Sequence, residues 1–194
     1  MWRHFVDVRV PIYWEWMTDL GQKSAALAEP RGLQIPQEYY SPLAEWLPCP
    51  SHECEADGFD LWAFYYRDTV HTNGLTMENA WLDEAALMDP YSYKITVNTQ
   101  VGRAKGLKSG DPVRVTSEAG RHVEGRVRLT EAIHLEGLAI GACAGHWTEG
   151  MPRAKGKGVF FNNLLELDWH HSSPANLNLD TCAKVRIERI GAGR

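Results

Sequence analysis

The spacing of apolar and polar residues changes character along this chain, and each change predicts an element. Val6-Asp7-Val8-Arg9-Val10 alternates as a half-exposed strand does and stops at Pro11. After it, Tyr13, Trp14, Trp16, Tyr39, Tyr40 and Trp46 are scattered among Pro30, Pro36, Pro42, Pro48 and Pro50. Proline at that density predicts neither long helices nor central strands. From Phe59 the pattern tightens. Residues 61–66 are a continuous apolar run of strand length, which predicts a strand buried on both faces. A polar loop follows from Arg67 to Gly74, then helical spacing over residues 78–88 that ends at Asp89-Pro90.

The next segment is built from short pieces. Residues 93–97 predict a strand, Asn98-Thr99 a helix cap, and residues 100–107 a short helix closed by Gly106. A turn at Ser109-Gly110-Asp111 leads into a strand over 112–116. A second turn at 118–121 leads into a strand whose Val123, Gly125, Val127 and Leu129 alternate with His122, Glu124, Arg126 and Arg128. Residues 137–143 predict another buried strand, 145–158 a loop, and 162–169 a short helix. A closing strand over 183–190 turns Val185 and Ile187 inward. Many short strands with few helices predict a mostly β, closed barrel over residues 59–194. Residues 1–58 are expected to be an extended arm, serving either to dock on another chain or to cap the chain's own core.

Composition narrows the class. With 44% hydrophobic and 23% charged residues over 194 positions, the chain has the make-up of a soluble globular protein with enough length for one core. No run of 18 apolar residues is present, which excludes a membrane-spanning helix, and Met1-Trp2-Arg3-His4 begins no export signal. Four cysteines, at 49, 54, 143 and 182, are too few for a disulfide scaffold. A net charge of -5 argues against nucleic acid as a partner. The charge is unevenly divided: residues 1–90 carry a net of -10 and residues 91–194 a net of +5, so the second half suits an anionic ligand.

Three motifs then stand in order. Tyr66-Arg67-x-x-x-His71-Thr72-Asn73 precedes Trp81-Leu82-Asp83-Glu84; Val97-Asn98-Thr99 leads to Gly106-Leu107-Lys108-Ser109-Gly110-Asp111-x-Val113-x-Val115; and Gly145-His146-Trp147 precedes Asn162-Asn163-x-Leu165 and the strand around Val185-Arg186-Ile187. The ordered set resembles the C-terminal molybdopterin-dinucleotide-binding domain of the dimethyl-sulfoxide-reductase family of molybdenum and tungsten enzymes. It covers residues 59–190 well and residues 1–58 loosely. The resemblance implies a double-psi β-barrel, of the aspartate-decarboxylase-like kind, with short peripheral helices. It implies as cofactor a bis-molybdopterin guanine dinucleotide carrying molybdenum or tungsten, shared with a partner subunit. The implied contacts are Arg67, His71, Thr72, Asn73, Asn98, His146, Asn162 and Asn163. Arg67 offers a charge-assisted fork to phosphate, and the others offer amide, hydroxyl or backbone groups to a pterin or base edge. Each also has an intrachain alternative: Arg67 can pair with Asp68 or Glu84, while Asn98 and Asn162 can cap helices.

The chain departs from the family in two respects. Thr99 stands where the family often has Pro, and Val101-Gly102 stand where it often has an acidic residue and Ala, one of the groups that hold the guanine. Full family subunits are also several times longer and carry the iron–sulfur motif and the metal-ligating residue, neither of which is found here. The resemblance therefore implies a split catalytic subunit. Its partners would be a larger molybdopterin-binding chain and an iron–sulfur electron-transfer subunit, with room for a membrane anchor subunit. No residue of this chain is expected to ligate the metal or to catalyse alone. The expected location is cytoplasmic or membrane-associated through partners, or reached by co-export with a signal-bearing partner. A pterin-free barrel serving as a binding or assembly module is the alternative. A self-cleaving decarboxylase of the same barrel is disfavoured by the lack of a Gly-Ser bond. Cys49-x-x-His52-x-Cys54 has an unusual spacing for zinc and lacks a second pair. His170-His171-Ser172-Ser173 is expected to be a polar loop with no acid placed beside it.

Overall fold

A computed structural model describes residues 13–168, 171–173 and 178–191. The expected strand over residues 6–10 lies outside them, as do Trp169 and His170. The chain divides into two compact units, one drawn from the segments up to residue 50 and from 167–180, the other from 51–166 and from 181 onward.

The first unit holds an α-helix, α1 (Trp16–Ala28), where an extended arm was expected. The reason is local. The prolines that crowd the segment lie at Pro11 and from Pro30 onward, which leaves an uninterrupted window rich in Ala, Leu, Met, Gln and Lys. Pro30 falls in a 3-10 turn directly after the helix, at Glu29–Arg31. Gly21 of α1 packs against Tyr40, so closely that a Cβ would come within 2.7 Å of the Tyr40 Cβ. Trp14 and Trp16 stack with ring centroids 5.6 Å apart, and Trp46 is 74% exposed.

The second unit is a closed barrel. It begins with β1 (Leu61–Tyr66), followed by α2 (Ala80–Ala86), β2 (Ile95–Asn98), α3 (Thr99–Ala104), β3 (Pro112–Ser117), β4 (His122–Thr130) and β5 (Gly137–Gly141). A short antiparallel pair, β6 (Ser172–Ser173) with β7 (Asn178–Leu179), belongs to the first unit, and β8 (Cys182–Arg189) returns to close the barrel. The strand order around the ring is β1-β5-β2-β4-β3-β8. Two neighbouring pairs, β1 with β5 and β2 with β4, run parallel, and the others are antiparallel. Nine-residue β4 serves two neighbours in turn: residues 122–126 pair with β3 and residues 127–130 with β2. Closure pairs both edges of every barrel strand, so the barrel itself offers no open edge as a template for aggregation.

The alternation read from the sequence fills the interior. Val97, Val113, Val115 and Val185 are fully buried, packed with Leu61, Ile95, Val127, Leu138 and Ile140. Four expectations need correction. β1 is not buried on both faces, because Phe64 and Tyr65 are each about two-fifths exposed although both are still paired with β5. Tyr93 lies outside β2, at a φ of 64°, in a turn closed by the Lys94 N–H donating to the Tyr91 carbonyl. The helix expected over 162–169 is only a 3-10 turn, Phe161–Leu164, which ends as Leu165 adopts an extended backbone. The helix expected over 78–88 is shorter, since residues 74–78 form a separate 3-10 turn and Asn79 starts α2 afresh. Its amide oxygen accepts from the N–H groups of Trp81 and Leu82.

Candidate functional site

The loop after β1 is pinned from inside. Asp68 is buried, and one of its carboxylate oxygens accepts from the Val70 N–H at 2.9 Å while the other accepts from the Ser92 hydroxyl at 2.7 Å. His71 is 1% exposed, with Nδ1 3.0 Å from the Thr76 hydroxyl and Nε2 2.8 Å from the Tyr93 hydroxyl. Tyr93 in turn donates to Asp83 at 3.1 Å, and Asp83 forms an ion pair with Lys157. Burial raises the Tyr93 pKa, and the acceptor and charge of Asp83 raise it further. Burial pushes Asp83 the other way, toward the neutral acid, but the Lys157 and Tyr93 hydrogen bonds outweigh it and leave the carboxyl below its ordinary value. The left-handed turn at Tyr93 thus aims its phenol at the centre of a chain running Lys157–Asp83–Tyr93–His71–Thr76.

Over this buried chain the loop presents a polar surface. Arg67 is exposed and donates to the Thr72 carbonyl, leaving the rest of its guanidinium outward. Thr72 and Asn73 are exposed, and the Asn73 amide oxygen accepts from the Leu75 N–H at the start of the 3-10 turn. Gly74 sits on the His146 ring, where a Cβ would come within 2.8 Å of Nε2. His146 lies 5.1 Å from the Phe160 ring, and its Nδ1 is buried with no hydrogen-bond partner. The Asn163 N–H donates to the Phe160 carbonyl, and both Asn162 and Asn163 are exposed on the turn that follows. Five of the expected residues, Arg67, His71, Thr72, Asn73 and His146, are therefore brought together, with Asn162 and Asn163 linked to them through Phe160. Cys143 is buried nearby, and desolvation raises its thiol pKa against the opposing charge of Arg67.

Asn98 is placed elsewhere. β1 runs parallel to β5 and β2 antiparallel to it, so the end of β2 lies beside the start of β1, at the opposite end of the barrel from Arg67. Its amide is spent within the chain: the oxygen accepts from the Gln100 N–H at 2.9 Å, and the nitrogen donates to the Ile133 carbonyl at 2.7 Å. A groove of about 360 Å³ runs along the outer barrel wall between these ends, lined by Phe64, Tyr66, Arg67, Tyr91, Thr130 and Ile133 among others. Tyr91 shares a 3.2 Å hydrogen bond with Thr130 and lies under the Arg128 guanidinium. The Tyr66 pKa is pushed up to about 12, first by burial and then by the charges of Asp68 and Asp89. Of the motif residues, Tyr66 and Arg67 line this groove. Of its strands only β4 shows an exposed phase in the sequence, β1 reading as a continuous apolar run, and which residues line one hollow depends on barrel closure.

The remaining constellations are local. Among the described residues, no three His, Cys, Asp or Glu side chains are grouped so as to hold a metal ion. The His52 ring rests on Trp62 at 4.7 Å. His171 does have an acid beside it, contrary to expectation: Asp168 accepts from both its N–H and its ring Nδ1 at 2.8 Å. Asp168 follows the extended Leu165 rather than extending a helix, which lets its side chain fold back on the turn. Among the described residues, no helix is long and apolar enough to cross a membrane.

No family model matches this chain. No curated protein sequence matches it either. A solved structure does: acetylene hydratase from Pelobacter acetylenicus, with a TM-score of 0.59 and 15% identity over 85% of this chain. What the two share is a fold. The matched region is 23% of the hydratase chain, so the present chain spans about a quarter of that protein's length.

Proposed function

We propose that this chain is the cofactor-binding piece of a multi-subunit molybdenum or tungsten enzyme. It would hold part of a bis-molybdopterin guanine dinucleotide while partner chains carry the metal ligand and the iron–sulfur clusters. We infer that the ordered motifs and the fold shared with acetylene hydratase have one origin, and that the barrel is of the double-psi type, for which its two parallel strand pairs speak. The observation that carries the reading is the convergence of Arg67, Thr72, Asn73 and His146 at one end of a barrel with that fold.

The residues present fit such a group. Arg67, Thr72, Asn73, Asn162 and Asn163 keep exposed donors and acceptors, and His146 keeps a buried ring nitrogen without a partner. These would hold the cofactor, with Arg67 on phosphate. His71 and Asn98 have their side-chain atoms engaged within the chain, so they set the positions of the loop and of α3. When bound, the cofactor would supply the metal chemistry, and the chain's own residues would orient it. Oxidation and reduction at the metal is the reading for the assembled enzyme. The name of the structural neighbour denotes addition of water, so fold alone leaves the reaction class to the partner chain.

Affinity purification of the chain from its own cell, with metal analysis, pterin fluorescence and mass spectrometry of co-purifying chains, tests the reading. A larger chain with cysteine motifs and stoichiometric molybdenum or tungsten is expected. A chain recovered alone, without pterin or metal, would sink the proposal and leave a binding module with another ligand.

A further inference from the structure

Helix α2 faces the wrong way for a free surface. Its inward positions are half-buried Leu82, Asp83 with its bonds to Tyr93 and Lys157, and buried Ala86. Trp81, 86% exposed, stands on its outward side, and Met88, 88% exposed, lies in the turn just beyond the helix. Leu87 beside Met88 and Leu75 in the preceding turn are also largely exposed. A carboxylate is thus kept inside while a tryptophan, a methionine and two leucines are left in water. Singly exposed apolar side chains need no explanation, but a cluster centred on Trp marks a surface made to be covered.

We propose that this face of α2 seats the larger pterin-binding chain, through an apolar pocket on that partner rimmed by Lys and Arg. The proposal rests on the function inferred above. Two features select this occupant. α2 follows directly from the Arg67–Gly74 loop through the Gly74–Glu78 turn, so its surface is continuous with the loop that the reading shares between two chains. Charge selects it as well: between Arg67 and Lys94 there is no Lys or Arg, while exposed Glu84 and half-buried Glu78 and Asp89 fall in that interval, so a basic rim is complementary.

The test uses the tagged full-length chain in its own cell, as wild type, Trp81→Glu, Met88→Lys and the control Leu135→Glu, an exposed apolar residue on the β4–β5 loop. Recovery of the larger chain, identified by its cysteine motifs and its pterin, is measured alongside the thermal midpoint of each purified variant. Wild type and Leu135→Glu should retain the larger chain. Trp81→Glu should lose it by about tenfold or more at an unchanged midpoint, as expected for a central aromatic anchor. Met88→Lys, which sets a cation against the basic rim, should lose it too and serves if Trp81→Glu does not fold. If both variants keep the larger chain as wild type does, this face is not the seat, while the inferred function stands. If wild type itself brings no pterin-bearing chain, the inferred function fails and this proposal with it. A homodimer in light scattering that Trp81→Glu makes monomeric would make the occupant a second copy and overturn the proposal.

Discussion

Replacing Tyr93 with Phe removes one oxygen atom and leaves the ring in place, which isolates the hydrogen-bond chain beneath the loop. That oxygen lies 2.8 Å from His71 Nε2 and 3.1 Å from an Asp83 carboxylate oxygen. His71 is 1% exposed, so water cannot readily take the vacant place. A buried ring nitrogen left without its partner costs about 1–3 kcal/mol. Asp83 keeps Lys157 and is less deeply enclosed, so its loss adds about 1 kcal/mol. The sum is about 2–4 kcal/mol, and for a chain of this size each kcal/mol lowers the thermal midpoint by about 2–4 °C. A fall of about 4–16 °C is therefore expected in calorimetry. Tyr91→Phe is the matched control, since it deletes a 3.2 Å bond to Thr130 in a half-exposed setting and should cost about 0.5 kcal/mol or less. If Tyr93→Phe melts with wild type, or no lower than Tyr91→Phe, then the chain from Lys157 to Thr76 does not hold the loop and the division between positioning and contact residues collapses.

Three further outcomes follow from the same structure. Gly145 has a φ of +89°, and an added Cβ would run into the backbone joining Val159 to Phe160, so Gly145→Ala should destabilise by about 3 kcal/mol or more in urea melts; a wild-type midpoint would show that the His146 loop is differently packed. Tyr66 and Tyr93 hold their protons beyond the ordinary phenol range, so their stabilisation is whole below the unfolded pKa of about 10 and is lost as pH rises through the folded values. Phenolate absorbance should accordingly show Tyr66 and Tyr93 still neutral at about pH 11 while the fold persists, and full ionisation in the folded state would contradict the assigned burial. Arg67→Ala, at an exposed position, should leave the melting midpoint unchanged and reduce pterin and metal recovered from the native complex by about tenfold; unchanged recovery would remove Arg67 from the cofactor site.

The barrel was legible because its signals are local. Alternation in β3 and β4, and turns at Gly110 and Gly120 that require positive φ, are properties of a few consecutive residues. α1 is hidden by the proline density of the whole first segment, whereas a helix needs only one window free of proline. Tyr93 was misplaced for a different reason. Nothing in Tyr93-Lys94-Ile95 marks a left-handed tyrosine, and the conformation is maintained by bonds to His71 and Asp83, which lie 22 and 10 residues away. Strand propensity was overridden there by tertiary contacts.

The candidate site divides along the same line. Residue order in the motifs was enough to nominate Arg67, Thr72, Asn73 and His146, but not to say which nominated side chains keep an atom free for a ligand. His71 and Asn98 have the residue types that recognition requires, and both have both polar side-chain atoms engaged inside the chain. The end of the barrel on which Asn98 stands is set by β2 running antiparallel to β5, a pairing across some forty residues of sequence that no local pattern encodes. A polar residue in a motif can therefore serve the ligand in two ways, by touching it or by holding in place the loop that does. The second kind costs stability when mutated and the first costs retention of ligand. Tyr93→Phe and Arg67→Ala thus form a pair whose effects should separate: the midpoint falls in one and the bound pterin in the other. A loop whose Arg67 variant lost stability but not pterin would have the two roles reversed.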